Sequence, residues 1–335
     1  LFVRSPKYGE KLSENQVDWW GIVFLASFIG SLQFVLEHGQ QDDWFEDHMI
    51  VILSVVSLFG LVAFIWRELV YEFPIVNLRV LRNTNLWTGT IMTFILGFGL
   101  YGSTFVIPIY TQSILGWTAT DAGLLLIPSS ITTGLMMPII GKLLERGIPA
   151  KYLVALGFIG FFLYSLWMHN LLTPDTSSEA MFWPLVLRGM GLGLLFVPIT
   201  TLALSTLKGA EIGEGAAFTG MMRQLGGSFG IAIITTMISR LNQQHRVDLI
   251  PNLSGIDPQT QQRVNGLQQM FIGKGFSFNE ALDRAYQVLE GSISLQGTVL
   301  TYMDVFLYLG ILFLVCVPFV LIMKNGSGKP ASGAH

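Results

Sequence analysis

The sequence predicts an all-α integral membrane protein, and three observations point there. Apolar side chains make up 51% of the 335 residues and charged ones only 12%, about half the charged fraction of an ordinary soluble domain; mean hydropathy is +0.56. Eight apolar runs are each long enough to cross the roughly 30 Å hydrocarbon core, which takes about 20 helical residues. Basic residues alternate along the chain, present in every second connection and absent from the short connections between.

Taken in order, the runs fall near residues 18–37, 48–67, 87–111, 119–141, 151–169, 181–204, 213–239 and 299–323. Arg4, Lys7 and Lys11 precede the first run, and the loop 38–47 after it has no Lys or Arg. Arg67, Arg79 and Arg82 follow the second run, whereas 112–118, after the third, is again empty. Lys142, Arg146 and Lys151 separate the fourth and fifth runs; 170–180, after the fifth, has none; Lys208 follows the sixth. Lys324 and Lys329 close the chain. Basic residues in short loops stay cytoplasmic, so this alternation predicts that both ends lie in the cytoplasm.

The segment 240–298 is too long for that rule. Within it "PQTQQRVNGLQQMFIG" and "FNEALDRAYQVLEGSISLQG" carry apolar residues at helical spacing, with Gly273 and Gly275 as a break. It reads as a small extracytoplasmic helical cap, either a docking surface or a connector packed on the bundle. The expected organisation is a cytoplasmic loop 1–17, two helices in 18–67, a cytoplasmic linker 68–86, a six-helix bundle in 87–323 that includes the cap, and a Gly/Ser-rich cytoplasmic tail 324–335.

Several function classes are excluded or unsupported. Net charge is −3 with no basic block, which leaves nothing for phosphate contacts to nucleic acid. No GxxxxGK[ST] loop points to ATP hydrolysis, and no Gly-x-Ser-x-Gly elbow points to a hydrolase. The five histidines, at 38, 48, 169, 245 and 335, have no metal-ligand spacing. Cys316 is alone and forms no internal disulfide. Neither metal nor cofactor is expected, and the chain does not read as an enzyme.

Charged groups at membrane depth are costly and usually face a cavity or a partner. Arg188 sits in "FWPLVLRGMGLGLLFVPIT", ahead of Gly189, Gly191 and Gly193, which admit a close neighbour. It either lines a translocation cavity or snorkels to the outer interface. Arg223, with Gln224 beside it in "FTGMMRQLGGSFGIAIITTM", lies deeper and favours a cavity or protein partner. Asp304 in "TYMDVFLYLG" is a proton carrier, the counter-ion of an arginine, or a partly solvated residue at a helix start. Gln33, Tyr101, Tyr110 and Gln112 either face a cavity or satisfy helix contacts. Pro108, Pro128, Pro138, Pro198 and Pro318 fall in or near spans, where kinks are tolerated.

"DAGLLLIPSSITTGLMMPIIGKLLERGIPAKYL" resembles the second-half copy of the signature loop of the major facilitator superfamily, Gly-x-Leu-x-Asp-Arg-x-Gly-Arg-Lys. Gly141, Leu143, Arg146 and Gly147 carry the match, Glu145 stands for the family's acid, and its final basic pair is reduced to Lys151. "VDWWGIVFLASFIGSLQFVLEHGQQDDWF", "FPIVNLRVLRNTNLWTG", "LRGMGLGLLFVPITTLALSTL" and "RQLGGSFGIAI" resemble, in order, spans seven, nine, twelve and thirteen of the fourteen-span drug:proton antiporters, the EmrB-like multidrug exporters.

The resemblance implies a major facilitator fold with eight helices, spans seven to fourteen, whose first pair are the extra central helices and whose first six spans are missing. It implies proton-coupled efflux of toxic small molecules across the inner membrane, with a periplasmic adaptor and an outer-membrane channel as partners. Arg188, Arg223, Gln224, Tyr101, Tyr110 and Asp304 are then candidates for the cavity or proton pathway. Gly141, Lys142, Glu145, Arg146, Gly147 and Lys151 become a cytoplasmic gate, whose glycines permit close helix approach and an unusual turn. Another cargo, such as a siderophore, sugar or lipid, and a non-transporting scaffold or sensor are the alternatives.

Overall fold

The computed structural model describes residues 18–71, 84–207, 209–249 and 258–322. The expected loop 1–17, the tail 324–335, most of the linker 68–86, and Lys208 with the basic residues of those segments lie outside the described residues. Among the described residues every regular element is helical. These are α1 (Trp19–His38), α2 (His48–Val70), α3 (Thr84–Ser113), α4 (Ala119–Leu124), α5 (Ile127–Glu145), α6 (Ala150–Leu171), α7 (Ser178–Leu204), α8 (Ala210–Leu249), α9 (Pro258–Gly273) and α10 (Phe278–Ile322).

Seven helical stretches among the described residues are long and apolar enough to cross a membrane: α1, α2, α3, α4 with α5, α6, α7 and α10. This is a multi-pass membrane protein. Three differences from the expected spans have physical causes. The run 213–239 lies inside α8, a helix of 40 residues that does not reach the same apolarity, because Arg223, Gln224 and the Gly/Ser-rich "GGSFG" dilute it. The run 119–141 is two helices, with Pro128 in the first turn of α5, where its missing N–H costs nothing. The last span does not start near 299: α10 runs unbroken for 45 residues, about 67 Å at 1.5 Å per residue, more than twice the hydrocarbon core. The described residues of 240–298 belong to the continuations of α8 and α10 and to α9, and the expected glycine break falls at the end of α9 and before α10.

The chain divides into two compact units, and the division passes through α3, α7 and α8 rather than along loops. The first comprises the described residues of Leu1–Gly97 and Ile199–Ala232. Here α1 and α2 form a hairpin around a short 3-10 turn, Trp44–Glu46. Asp47 caps α2 by accepting from the N–H groups of Met49 and Ile50. At the other end Asp18 caps α1 through Gly21 and also accepts from Arg67 Nε at 3.1 Å through both oxygens. Between these ends Gly60 lets α2 press on the backbone of Phe28, and Ser57 Oγ donates to the Phe28 carbonyl at 3.3 Å. Only 22% of the apolar window in each of α1 and α2 is buried, against 56% in α3, so most of the hairpin surface suits lipid. Phe64 of α2 and Phe218 of α8 share a buried cluster, and Phe94 of α3 lies 5.7 Å from Phe229 of α8.

The second unit comprises Phe98–Pro198 and the described residues of Ile233–Asn325. Its core is aromatic: Phe313 of α10 stacks on Phe161 of α6 at 4.0 Å and meets Phe158 edge-on at 5.4 Å, while Tyr164 of α6 meets Phe306 of α10. The glycine stripe of α7 works on two faces. Gly193 would drive a Cβ into Met136 of α5 at 2.7 Å, Gly189 one into Ser129 of α5, and Gly191 one into the backbone of Phe161 in α6 at 3.0 Å. Three small residues at spacing two thus clamp α7 between α5 and α6.

Candidate functional site

Arg188, in the middle of α7, is 3% exposed. Its Nε donates to Ser103 Oγ at 2.9 Å, its Nη1 to Ser129 Oγ at 2.9 Å, and its Nη2 to the Leu100 carbonyl at 3.2 Å and to Thr104 Oγ1. The arrangement follows from local sequence. Ser103 and Thr104 give their own protons to the carbonyls one turn earlier, Gly99 and Leu100, a habit of hydroxyls in helices. Their oxygen lone pairs are thereby left to face the guanidinium. Gly189, next to Arg188, admits the α5 backbone that carries Ser129, and Thr133 Oγ1 bonds the carbonyls of both Ser129 and Gly189.

Every acceptor on Arg188 among the described residues is neutral. A buried charge normally finds an opposite one, because desolvation costs several kcal/mol per ion; here the positive charge is spread over three hydroxyls and a carbonyl. The hydroxyl of Tyr164 in α6 is buried with no hydrogen-bond partner among the described residues and lies within electrostatic range of the guanidinium. The arrangement therefore offers positive potential inside the helix bundle. It also ties α3, α5 and α7 at one point, so a change in its charge balance would be felt by three helices. Arg188 neither snorkels nor sits at a surface.

Arg223 and Gln224 are half-buried on α8 in the first unit, at the point where the bare backbone of Gly97 admits the Arg223 carbonyl. They belong to a different unit from Arg188. Tyr101 is half-buried on α3. Tyr110 is 1% exposed, and its hydroxyl donates to the Thr173 carbonyl at 2.5 Å and contacts Thr176 Oγ1 at 3.3 Å; it ties α3 to the connection before α7. Asp304 lies against a histidine rather than an arginine: His245 Nε2 is 2.8 Å from its Oδ2. Gln33 donates to Glu37 and Gln112 to the Pro108 carbonyl, both within their own helices.

In the 141–151 turn, Gly147 adopts φ +87°, and the N–H groups of Gly147 and Ile148 close onto the carbonyls of Leu144 and Leu143, a left-handed helix stop. A Cβ on Gly141 or Gly147 would meet open space, so close helix approach is not their use here. Lys142, Glu145 and Arg146 are exposed, Lys151 lies over the Tyr152 ring at 5.2 Å, and no ion pair joins Glu145 or Arg146 among the described residues.

A cavity of about 670 Å³ opens elsewhere in the second unit, lined by Trp117, Asp121, Leu124, Leu125, Pro128, Ser178, Glu179 and Phe182. Its residues come from the loop after α3, from α4 and α5, and from the first turns of α7. None is among the candidates named from sequence. The one sequence signal for it is that both flanking loops, 112–118 and 170–180, hold acids or aromatics nearby and no basic residue.

The sequence has relatives among known proteins. It matches the description "Major Facilitator Superfamily" over residues 20–231. It is 28% identical over 327 residues to the multidrug export protein EmrB of Escherichia coli (strain K12), covering 97% of this chain and 62% of that protein. It is 29% identical over 308 residues to the fatty acid resistance protein FarB of Neisseria gonorrhoeae, covering 92% and 59% respectively. It is 25% identical over 314 residues to the colistin resistance protein EmrB of Acinetobacter baumannii, covering 93% and 60%. The chain thus spans 59–62% of the length of these relatives.

Proposed function

This chain belongs to the major facilitator superfamily, and we propose that it forms spans seven to fourteen of a proton-driven exporter of amphipathic small molecules. The family and the relatives support transport; transport by this chain, its proton coupling and its drug cargo are our reading. The observation that carries it is Arg188, a fully buried cation among neutral acceptors in a helix able to span the membrane. Such a charge is retained where it acts. In an alternating-access cycle, two bundles rock around a midplane site, and Arg188 favours the state in which an anionic group, of substrate or of protein, comes nearest to it.

The alternating basic loops orient both ends to the cytoplasm of a cell whose inner membrane the protein crosses. The continuations of α8 and α10 then stand outside, with α9, where a periplasmic adaptor leading to an outer-membrane channel would dock. Crosslinking from α9 tests that partner.

The function is tested with the complete transporter in proteoliposomes, following ethidium movement driven by an imposed pH gradient. Transport is expected in wild type and lost in Arg188→Met and Arg223→Ala with membrane insertion intact. Gradient-independent or absent movement of every amphipathic probe would leave a different cargo or a scaffold role, and normal transport by both variants would remove these arginines from the mechanism.

A further inference from the structure

His245 and Asp304 form a contact that the proposed exporter does not yet use. His245 lies on the continuation of α8 and Asp304 on α10, about 27 Å along the helix from its end at Ile322 at 1.5 Å per residue. That distance is close to the hydrocarbon thickness, so the pair stands at the membrane border farther from the α10 terminus. Their side chains are 20% and 28% exposed, enough to meet water while held in the protein.

The contact is not needed to hold α8 against α10. Asn242 Nδ2 donates to Thr298 Oγ1 at 3.2 Å, Arg246 pairs with Glu290, and Gly297 already brings the two helices within van der Waals reach of His245 and Arg246. A histidine adds what these contacts lack, since imidazole is the side chain whose charge ordinarily changes between about pH 5 and 8. Other titratable or charged groups among the described residues lie beside this point. His169 of α6 bonds the carbonyl of Met303, next to Asp304, through Nδ1 at 2.9 Å. Tyr302 is engaged with Ser113 of α3, and Arg246 and Glu290 neutralise each other.

We propose that His245 and Asp304 form the outer loading site for the coupling proton. The proposal rests on the exporter reading and its orientation. With Asp304 ionised, His245 Nε2 carries the hydrogen of their bond and Nδ1 offers a lone pair. A proton from outer water adds at Nδ1, and the imidazolium releases its Nε2 proton to Asp304 Oδ2. One proton has entered from water, one has reached the carboxyl group, and the ring is again neutral with its hydrogen on Nδ1. Tautomer exchange through outer water, with the Nδ1 proton leaving and one returning to Nε2, restores the starting bond once Asp304 has passed its proton on. Asp304 belongs to a spanning helix, so the relay moves the proton from a helix continuation onto an element of the bundle.

Two measurements on the complete transporter test this. Histidine-selective NMR in detergent needs no substrate: the His245 ring is expected to hold its hydrogen on Nε2, facing Asp304, and to lose that tautomer preference in Asp304→Asn. A His245 whose tautomer is the same in wild type and in that variant overturns the site. In proteoliposomes, gradient-driven ethidium transport by His245→Gln and Asp304→Asn is expected to fall by about a hundredfold, the lower end of what a positioned proton-transfer group contributes. Ethidium exchange without a gradient is expected to persist. If exchange falls equally, the pair only braces the helices and the proposal fails; if His245→Gln keeps the wild-type gradient response, the site fails while the exporter reading stands. Wild type that ignores the gradient refutes proton coupling itself, an outcome distinct from both.

Discussion

Gly97 of α3 and Gly226 of α8 meet where each helix shows the other bare backbone: a Cβ on Gly97 would strike the carbonyl of Arg223, and one on Gly226 the carbonyl of Phe94. This reciprocal fit fixes where the Arg223 backbone lies against α3. Gly226→Val is expected to force the helices apart and cost about 1–3 kcal/mol, as overpacking does. Gly134 of α5 is the control, because a Cβ there meets open space; Gly134→Ala should instead stabilise by about 0.5–1 kcal/mol through helix propensity. Melting temperatures of the purified protein in detergent should move in opposite directions, and a common direction would show that the crossing is not tight.

Arg188 separates stability from activity. Ser103 and Thr104 keep their own acceptors, Gly99 and Leu100, when the guanidinium is removed, so few buried groups are orphaned. Replacement of buried charges by apolar residues of similar volume is often neutral or stabilising by about 1–4 kcal/mol. Arg188→Met should therefore melt no lower than wild type while losing efflux in a cell-based resistance assay. Arg188→Lys keeps the charge but has no planar fork to reach three helices, and should also fail to export. Efflux by the methionine variant would make Arg188 a packing residue.

Much of this was legible in the sequence, for reasons that differ residue by residue. Helix type and the approximate spans follow from apolar length alone, which is why α1, α2, α6 and α7 fall close to where they are expected. The length of α10 is not legible that way, because residues 278–298 are polar enough to read as a separate cap, and only continuity of the backbone reveals one helix. Arg188 and Asp304 stand out as charges in apolar runs, but their partners do not. Ser103, Ser129 and Thr104 are ordinary residues of other helices, and His245 lies 59 positions from Asp304. The cavity beside Trp117 and Glu179 joins two loops and leaves no periodic trace.

The turn after α5 yields a test in which stability and function are expected to part. Glu145 is exposed at the carboxyl end of its helix, where a negative charge opposes the helix dipole. Glu145→Lys should thus favour the helix by about 0.3–1 kcal/mol, so any loss of transport reports a role in the conformational cycle. Gly147→Ala should cost about 1–2 kcal/mol, the penalty of a side chain at left-handed φ, and Gly141→Ala should cost nothing. Full transport by Glu145→Lys would leave the turn as an orientation anchor.

α9 and the first turns of α10 have their own small core, Val264 of α9 against Ala285 and Leu289 of α10, so they can loosen alone. Leu289 is 8% exposed, and Leu289→Ala should cost about 2–5 kcal/mol, the range for a large-to-small change in a packed site. That loss falls on a small cluster of buried apolar side chains, which should then open locally rather than with the bundle. Trypsin is the readout, since Arg263, Lys274 and Arg284 lie in this region. Cleavage there should accelerate in Leu289→Ala while the melting temperature of the spanning helices holds. A matching fall in that temperature would mean that α10 transmits the damage along its whole length, and that α9 and the spanning helices fold as one body.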